Sequence, residues 1–140
     1  MGLVRTKISL GNPKRPDLAP IEVDALVDTG ALHLCIPVHI AIQLDLEERE
    51  KREVTVADRS RHLVPYVGPL VAAFGKRSCF TGAMVLGDDV LLGAIPMEDM
   101  DLVVRPATRD VVPNPLNPNI PASIAMGVKE TDCSGGAEPL

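Results

Sequence analysis

Aromatic side chains are nearly missing from this 140-residue chain, which has two Phe, one Tyr and no Trp. A nucleic-acid groove needs a one-signed basic face interleaved with stacking rings, and this composition cannot supply the rings. It has no basic face either. The formal net charge is -5, and Lys and Arg alternate with acids, as in Glu47-Glu48-Arg49-Glu50-Lys51-Arg52-Glu53, a run that reads as a solvated face. No nucleic-acid partner is expected. Cysteine is scarce as well. Cys35, Cys79 and Cys133 are odd in number and widely spaced, and no leader pattern precedes them. A disulfide framework is therefore not expected, and the reading is a protein of the reducing cytoplasm. Long apolar runs are also lacking. The longest, Leu63 to Gly75, is broken by Pro65, Gly68 and Pro69 and is too short to span a bilayer, so no membrane partner is expected. The start Met1-Gly2-Leu3-Val4-Arg5-Thr6 fits the loose myristoylation pattern, but Leu3 to Leu10 reads more simply as a first strand.

What is present is aliphatic. Apolar residues make up 46% of the chain, so Val, Leu, Ile and Ala must fill the interior, and the β-branched ones among them favour strands. A chain of this length buries one core, not two. A site built from two matched halves would have to borrow one half from another molecule.

Along the chain, Leu3 to Leu10 alternates as a strand and Gly11 to Asp17 is dense in turn formers. Ile21, Val23, Ala25 and Val27 share one face while Glu22 and Asp24 take the other, the period of two of a half-buried strand. That strand ends at Asp28. Ala31 to Ile36 is a second apolar run, and Pro37 opens a short helix over Val38 to Leu44. Val54 to Ala57 and Leu63 to Val67 flank the polar tip Asp58-Arg59-Ser60-Arg61-His62 as a hairpin. Leu70 to Phe74 and Cys79 to Leu86 predict two more strands, followed by the apolar segment Val90 to Pro96 and a brief helix over Met97 to Met100. A last hairpin joins Asp101 to Val104 with Asp110 to Val112. Pro113, Pro115, Pro118 and Pro121 then open a Pro- and Gly-rich segment, of which Pro118 to Leu140 is expected to be extended or disordered.

The stretch Ala25-Leu26-Val27-Asp28-Thr29-Gly30-Ala31 poses a choice. Asp28 caps a turn through its own side chain, with Gly30 supplying a positive φ, or it performs chemistry. Its surroundings favour chemistry: an apolar strand before it, a small residue after it, and the apolar-apolar-Gly segment Leu91-Leu92-Gly93 some sixty residues later.

Together these features resemble the aspartic peptidases of the retroviral type, the retropepsin-like family. In that family strand-Asp-Thr-Gly-Ala is followed by a flap hairpin, an apolar-apolar-Gly segment and a short helix. The stretch from Leu91 to Val104 is similar to the end of such domains in the cellular and bacterial branch, where a hairpin follows the helix. The resemblance implies a mainly β fold, a closed β-barrel or sandwich half with one or two short helices. It places a peptidase domain at residues 1–113, a tail at 114–140, and a twofold homodimer as the active form. Peptide hydrolysis without metal or covalent intermediate needs one carboxylate to deprotonate water and a second carboxyl to polarise the scissile carbonyl. The two must lie about 3 Å apart and share a proton, which favours acidic to mildly acidic conditions. No second Asp-Thr-Gly or Asp-Ser-Gly occurs, and Asp88-Asp89 lacks the turn, so the dyad pairs Asp28 with its symmetry mate. By the resemblance Asp28 is catalytic, and Thr29 and Gly30 scaffold it. Ala31, Leu32, Asp58, Arg59, Ser60, Leu92 and Ile95 bind a protein or peptide substrate, with Leu26 near the same cleft, and the side-chain pockets are apolar. No cofactor is implied.

The sequence departs from the pattern at Ala94, where retroviral enzymes carry Arg, at Leu32 and His33, where they carry acids, and at a flap tip without Gly. Other readings compete. His33, Cys35 and His39 could suggest a metal, but no fourth ligand has a recognisable spacing, and no metal is expected. A nucleophilic cysteine lacks an activating neighbour, apart from Arg77 near Cys79. The main alternative is a dimeric binding or scaffold domain that keeps the fold with little or no turnover.

Overall fold

A computed structural model describes residues 3–127 of the chain. The elements follow as β1 (Arg5–Gly11), β2 (Ile21–Val27), β3 (Leu34–Ile36), α1 (Val38–Gln43), β4 (Glu47–Thr55), β5 (Arg61–Phe74), β6 (Arg77–Val85), β7 (Val90–Leu92), α2 (Ala94–Asp99), β8 (Leu102–Arg105) and β9 (Asp110–Pro113). The sheet order is β1-β2-β7-β3-β6-β5-β4. An added pairing of β1 with β5, from Ser9↔Ala73 to Gly11↔Val71, closes six of these strands into a barrel. The fold is mainly β with two short helices, and β8 and β9 form a separate hairpin.

The aliphatic composition produces an aliphatic core. Ile8, Leu10, Leu34, Ile36, Leu70, Leu92 and Met100 are fully buried, with Ala25, Ala72 and Ala83 filling the narrow places between them. The few rings sit at its margin: Phe74 packs partly buried against it, Phe80 is 77% exposed, and Tyr66 packs on a second cluster of Cys35, Val64 and Met84. Cys35 and Met84 of that cluster line the cleft described below.

Three sequence expectations are corrected. The charged run 47–53 is solvated, but it belongs to a strand. β4 is the uncovered edge of the sheet, where Lys, Arg and Glu deter pairing with other chains. Leu63 to Val67 and Leu70 to Phe74 are one long strand, β5. Pro65 sits opposite Lys51 on β4, and Pro69 falls in the bulge between Val67 and Leu70, where pairing with β6 shifts register. The second helix begins at Ala94 rather than Met97, with Gly93 as its N-cap.

The segment after β9 is anchored over part of its length. The Asp101 carboxylate accepts hydrogen bonds from Asn114 Nδ2 (3.1 Å), Asn117 Nδ2 (2.8 Å) and the Ala122 amide (3.0 Å). The buried Arg77 guanidinium donates to the carbonyls of Met100, Asp101 and Asn117. The N-terminal Met1-Gly2, Cys133 and the tail beyond 127 lie outside the described residues. Among those described, no helix is long and apolar enough to cross a membrane.

Candidate active site

Asp28 stands where β2 ends, and the sheet fixes its backbone. β2 and β7 run parallel, from Ala25↔Val90 to Val27↔Leu92. The Asp28 amide continues that ladder by donating to the Leu92 carbonyl at 3.1 Å. The chain then reverses: the Ala31 amide donates to the Asp28 carbonyl at 3.0 Å, and the Gly30 amide donates to Asp28 Oδ1 at 3.0 Å. Asp28 therefore does cap its own turn. This leaves Oδ2, which no donor or cation reaches among the described residues, on a half-buried carboxylate at the wall of a cleft.

The later Gly is explained by close approach of two loops. The Ala94 amide donates to the Ala31 carbonyl and the Ile95 amide to the Leu32 carbonyl, both at 2.9 Å. A Cβ on Gly93 would lie 2.3 Å from the His33 carbonyl oxygen and 2.9 Å from that of Ala31, so no other residue fits. Gly30 works differently from the expectation. It is not among the glycines at positive φ. A Cβ there would stand 3.2 Å from Asp28 Oδ1, so the missing side chain keeps the carboxylate clear.

The cleft has a volume of about 760 Å³. Asp28, Gly30, Ala31, Leu32, His33 and Cys35 supply one side. Met84, Leu86 and Leu91 supply apolar wall, and the end of β4 with the two residues after it covers it from Arg52 to Ala57. From the end of β4 into the following turn the side chains of Arg52, Val54 and Val56 are partly buried while Lys51, Glu53 and Thr55 are exposed, so the even-numbered residues face the cleft.

The expected site residues divide accordingly. Asp28, Gly30, Ala31 and Leu32 come together in the cleft wall. Thr29 is exposed beside them, and its hydroxyl has no partner among the described residues. Leu92 is fully buried in the barrel core; because strand neighbours alternate, Leu91 takes the place in the cleft expected of it. Ile95 is 40% exposed on α2, outside the cleft lining, next to the 59% exposed Leu32. Asp58, Arg59 and Ser60 form the tip of the β4–β5 flap, beyond the cleft lining, which ends at Ala57. Arg59 takes the left-handed backbone at φ 69° where a Gly was missed, and Asp58 Oδ1 steadies it by accepting from the Ser60 amide (2.8 Å) and hydroxyl (2.5 Å). Asp89 pairs with Arg5 at 3.4 Å, on the exposed β6–β7 connection.

Sequence reasoning missed Arg52, Val54 and Met84. The signal for the first two was the parity of Arg52, Val54 and Val56 inside a run read as uniformly solvated.

Neither of the thiols among the described residues, Cys35 and Cys79, is activated. Burial, and then the Asp28 charge, push the Cys35 thiol up. Burial, with Asp99 next, pushes Cys79 up to about 11. Arg77, the one activating neighbour for Cys79, is committed to backbone carbonyls. Burial, and then Arg52, hold His33 below the ordinary histidine range, so its imidazole is neutral at pH 7. His39 lies exposed on α1, outside the cleft lining.

No family model and no curated protein matches the sequence. The chain is similar to solved structures. One of them is the solution structure of Simian Foamy Virus (mac) protease, 14% identical, with a TM-score of 0.42, covering 66% of this chain and 91% of that one. A likeness of that size says nothing of activity, which has to be read from the site.

Proposed function

We propose that the chain is one half of an aspartic endopeptidase whose dyad forms when two copies bring their Asp28 carboxyls together. The observation that carries this reading is the half-buried Asp28 carboxylate, fixed through its backbone and Oδ1, with Oδ2 unpartnered at the wall of a strand-sized cleft. Partly burying a carboxylate without a cation is costly unless it is used. Exposed Leu32 and Ile95 beside it, and the Thr29 hydroxyl, without a partner among the described residues, suit a twofold contact in which each Thr29 reaches the other turn.

In that pair one Asp28 is ionised and the other protonated. The ionised carboxylate takes a proton from water as the water oxygen bonds to the scissile carbonyl carbon, and the protonated one gives its proton to the carbonyl oxygen. A gem-diol hydroxyl then gives its proton to the ionised carboxylate while the amide nitrogen takes a proton from the protonated carboxyl, the C–N bond breaks to leave an acid and an amine, and the dyad again holds one proton. The substrate lies extended between the flap and the floor.

The test is cleavage of an end-blocked peptide library by wild type and Asp28→Asn. Equal cleavage by both sinks the peptidase. Sedimentation at rising concentration, with and without a statine-type transition-state mimic, tests the pairing. The mimic touches both Asp28 residues and tightens the dimer by mass action. A protein that stays monomeric with the mimic has no second carboxylate, and a binding or scaffold role then replaces the peptidase.

A further inference from the structure

The cleft is apolar along Val54, Met84, Leu86 and Leu91, but one part of its wall carries the guanidinium of Arg52. The Arg52 guanidinium lies 3.8 Å over the Tyr66 ring centroid, and its Nε donates to Glu50 Oε2 at 2.9 Å. The stack and the Nε bond fix the plane of the fork, while its two terminal nitrogens have no partner among the described residues. His33 meets the same tyrosine edge-on, ring centroids 6.2 Å apart, and both Arg52 and His33 line the cleft. Glu50 forms an ion pair with the Nε side of Arg52, and Glu53, which also lines the cleft, is exposed and pairs with Arg61 at 3.8 Å, so the terminal N–H groups are the part of Arg52 left open to a ligand. The imidazole's reluctance to accept a proton, owed first to burial and then to Arg52, agrees with the guanidinium lying close enough to be felt at His33. A planar, pre-oriented guanidinium with free terminal N–H groups is shaped to receive a carboxylate in bidentate fashion.

We infer that Arg52 is a specificity residue that reads a side-chain carboxylate of the substrate, so that one subsite, beside Tyr66 and His33, prefers Glu or Asp over the amides. This rests on the peptidase reading and replaces an all-apolar cleft with an apolar one carrying a single acidic preference.

The experiment uses end-blocked peptide pairs that differ only by Glu against Gln, scanned one position at a time. At one position the Glu peptide is expected to show a kcat/KM about tenfold higher, the size of one net charge-assisted hydrogen bond. Arg52→Gln brings that ratio close to one. Arg52→Lys, which keeps the charge and the aliphatic stem but loses the fork, retains part of it and serves if the Gln variant does not fold. No Glu preference at any position, or one that survives Arg52→Gln, overturns the proposal. If wild type cleaves none of the peptides, the peptidase reading fails on its own. Equilibrium binding of the same peptides to wild type, Asp28→Asn and Arg52→Gln then decides: tighter Glu binding lost only with Arg52 supports the cationic subsite, and equal binding of Glu and Gln overturns it.

Discussion

Asp28-Thr29-Gly30 and Asp58-Arg59-Ser60 are the same local device in two places. In each, Asp Oδ1 accepts a hydrogen bond from the amide two residues on, at 3.0 Å to Gly30 and 2.8 Å to Ser60. What separates them is tertiary. The Asp28 amide is tied to Leu92 across the sheet, the following loop is laced to the start of α2, and the carboxylate is half-buried in a cleft. Asp58 sits exposed at a hairpin tip, and its second partner is the Ser60 hydroxyl, which also meets His62 Nε2 at 2.9 Å. An Asx turn thus says how an Asp is held and nothing of what it does. Chemistry is indicated by what the barrel does to the other oxygen.

The largest expected effect tests that separation directly. Asp28→Asn keeps an Oδ1 to cap the turn, so stability is expected to change by no more than about 1 kcal/mol. Cleavage should fall by about 10⁴-fold or below detection, since the general base is gone. Asp58→Asn, the same change in the same local geometry, should leave kcat within about threefold, because Asp58 is outside the cleft and cannot reach a bound peptide's scissile bond. Comparable losses in the two variants would dissolve the distinction.

Next in size is the packing behind each turn. Gly93→Ala drives a methyl into the backbone carbonyls of His33 and Ala31, where nothing flexible can give way, and is expected to cost about 3 kcal/mol in chemical denaturation. Gly30→Ala meets only the Asp28 carboxylate, at 3.2 Å. It should cost less stability but lower kcat more than the loss of folded protein explains, by turning the carboxylate. If Gly93→Ala is tolerated, the lacing between loop and helix is not what holds Asp28 in place.

These residues also mark where the sequence could be read and where it could not. Short-range signals carried the strands, the closing hairpin and the position of Asp28, because alternation and turn chemistry are properties of consecutive residues. Arg52 escaped because its face is set by pairing with β5, a relation between distant residues that the charges around it concealed. Leu92 and Leu91 were exchanged for a related reason: which of two adjacent leucines faces the cleft depends on the register of β7 against β2 and β3. The joining of two expected strands into β5 depended on a bulge that accommodates Pro69, visible only once β6 lies beside it.

The smallest effect concerns the tip alone. Hydrogen bonds from the Ser60 side chain, then from its amide, hold the Asp58 carboxyl below the ordinary carboxylate range. Ser60→Ala removes the first of these, so the Asp58 carboxyl, followed by its carbon NMR shift, should titrate higher than in wild type. The sign for stability follows from a depressed folded value: the contribution is present above the unfolded carboxylate pKa of about 3.9 and is lost as pH falls through the folded one. Wild type and Ser60→Ala should therefore show the same pH slope of stability from pH 5 to 8, offset from one another, and converge in the acid limb, where wild type loses the part of the contribution that the variant lacks. Because the cleft lining ends at Ala57, KM for an end-blocked peptide should move by less than about threefold. A larger rise in KM would bring the tip down onto the substrate, as the sequence resemblance implies for Asp58, Arg59 and Ser60. The flap would then close further over a bound peptide than its resting hairpin does.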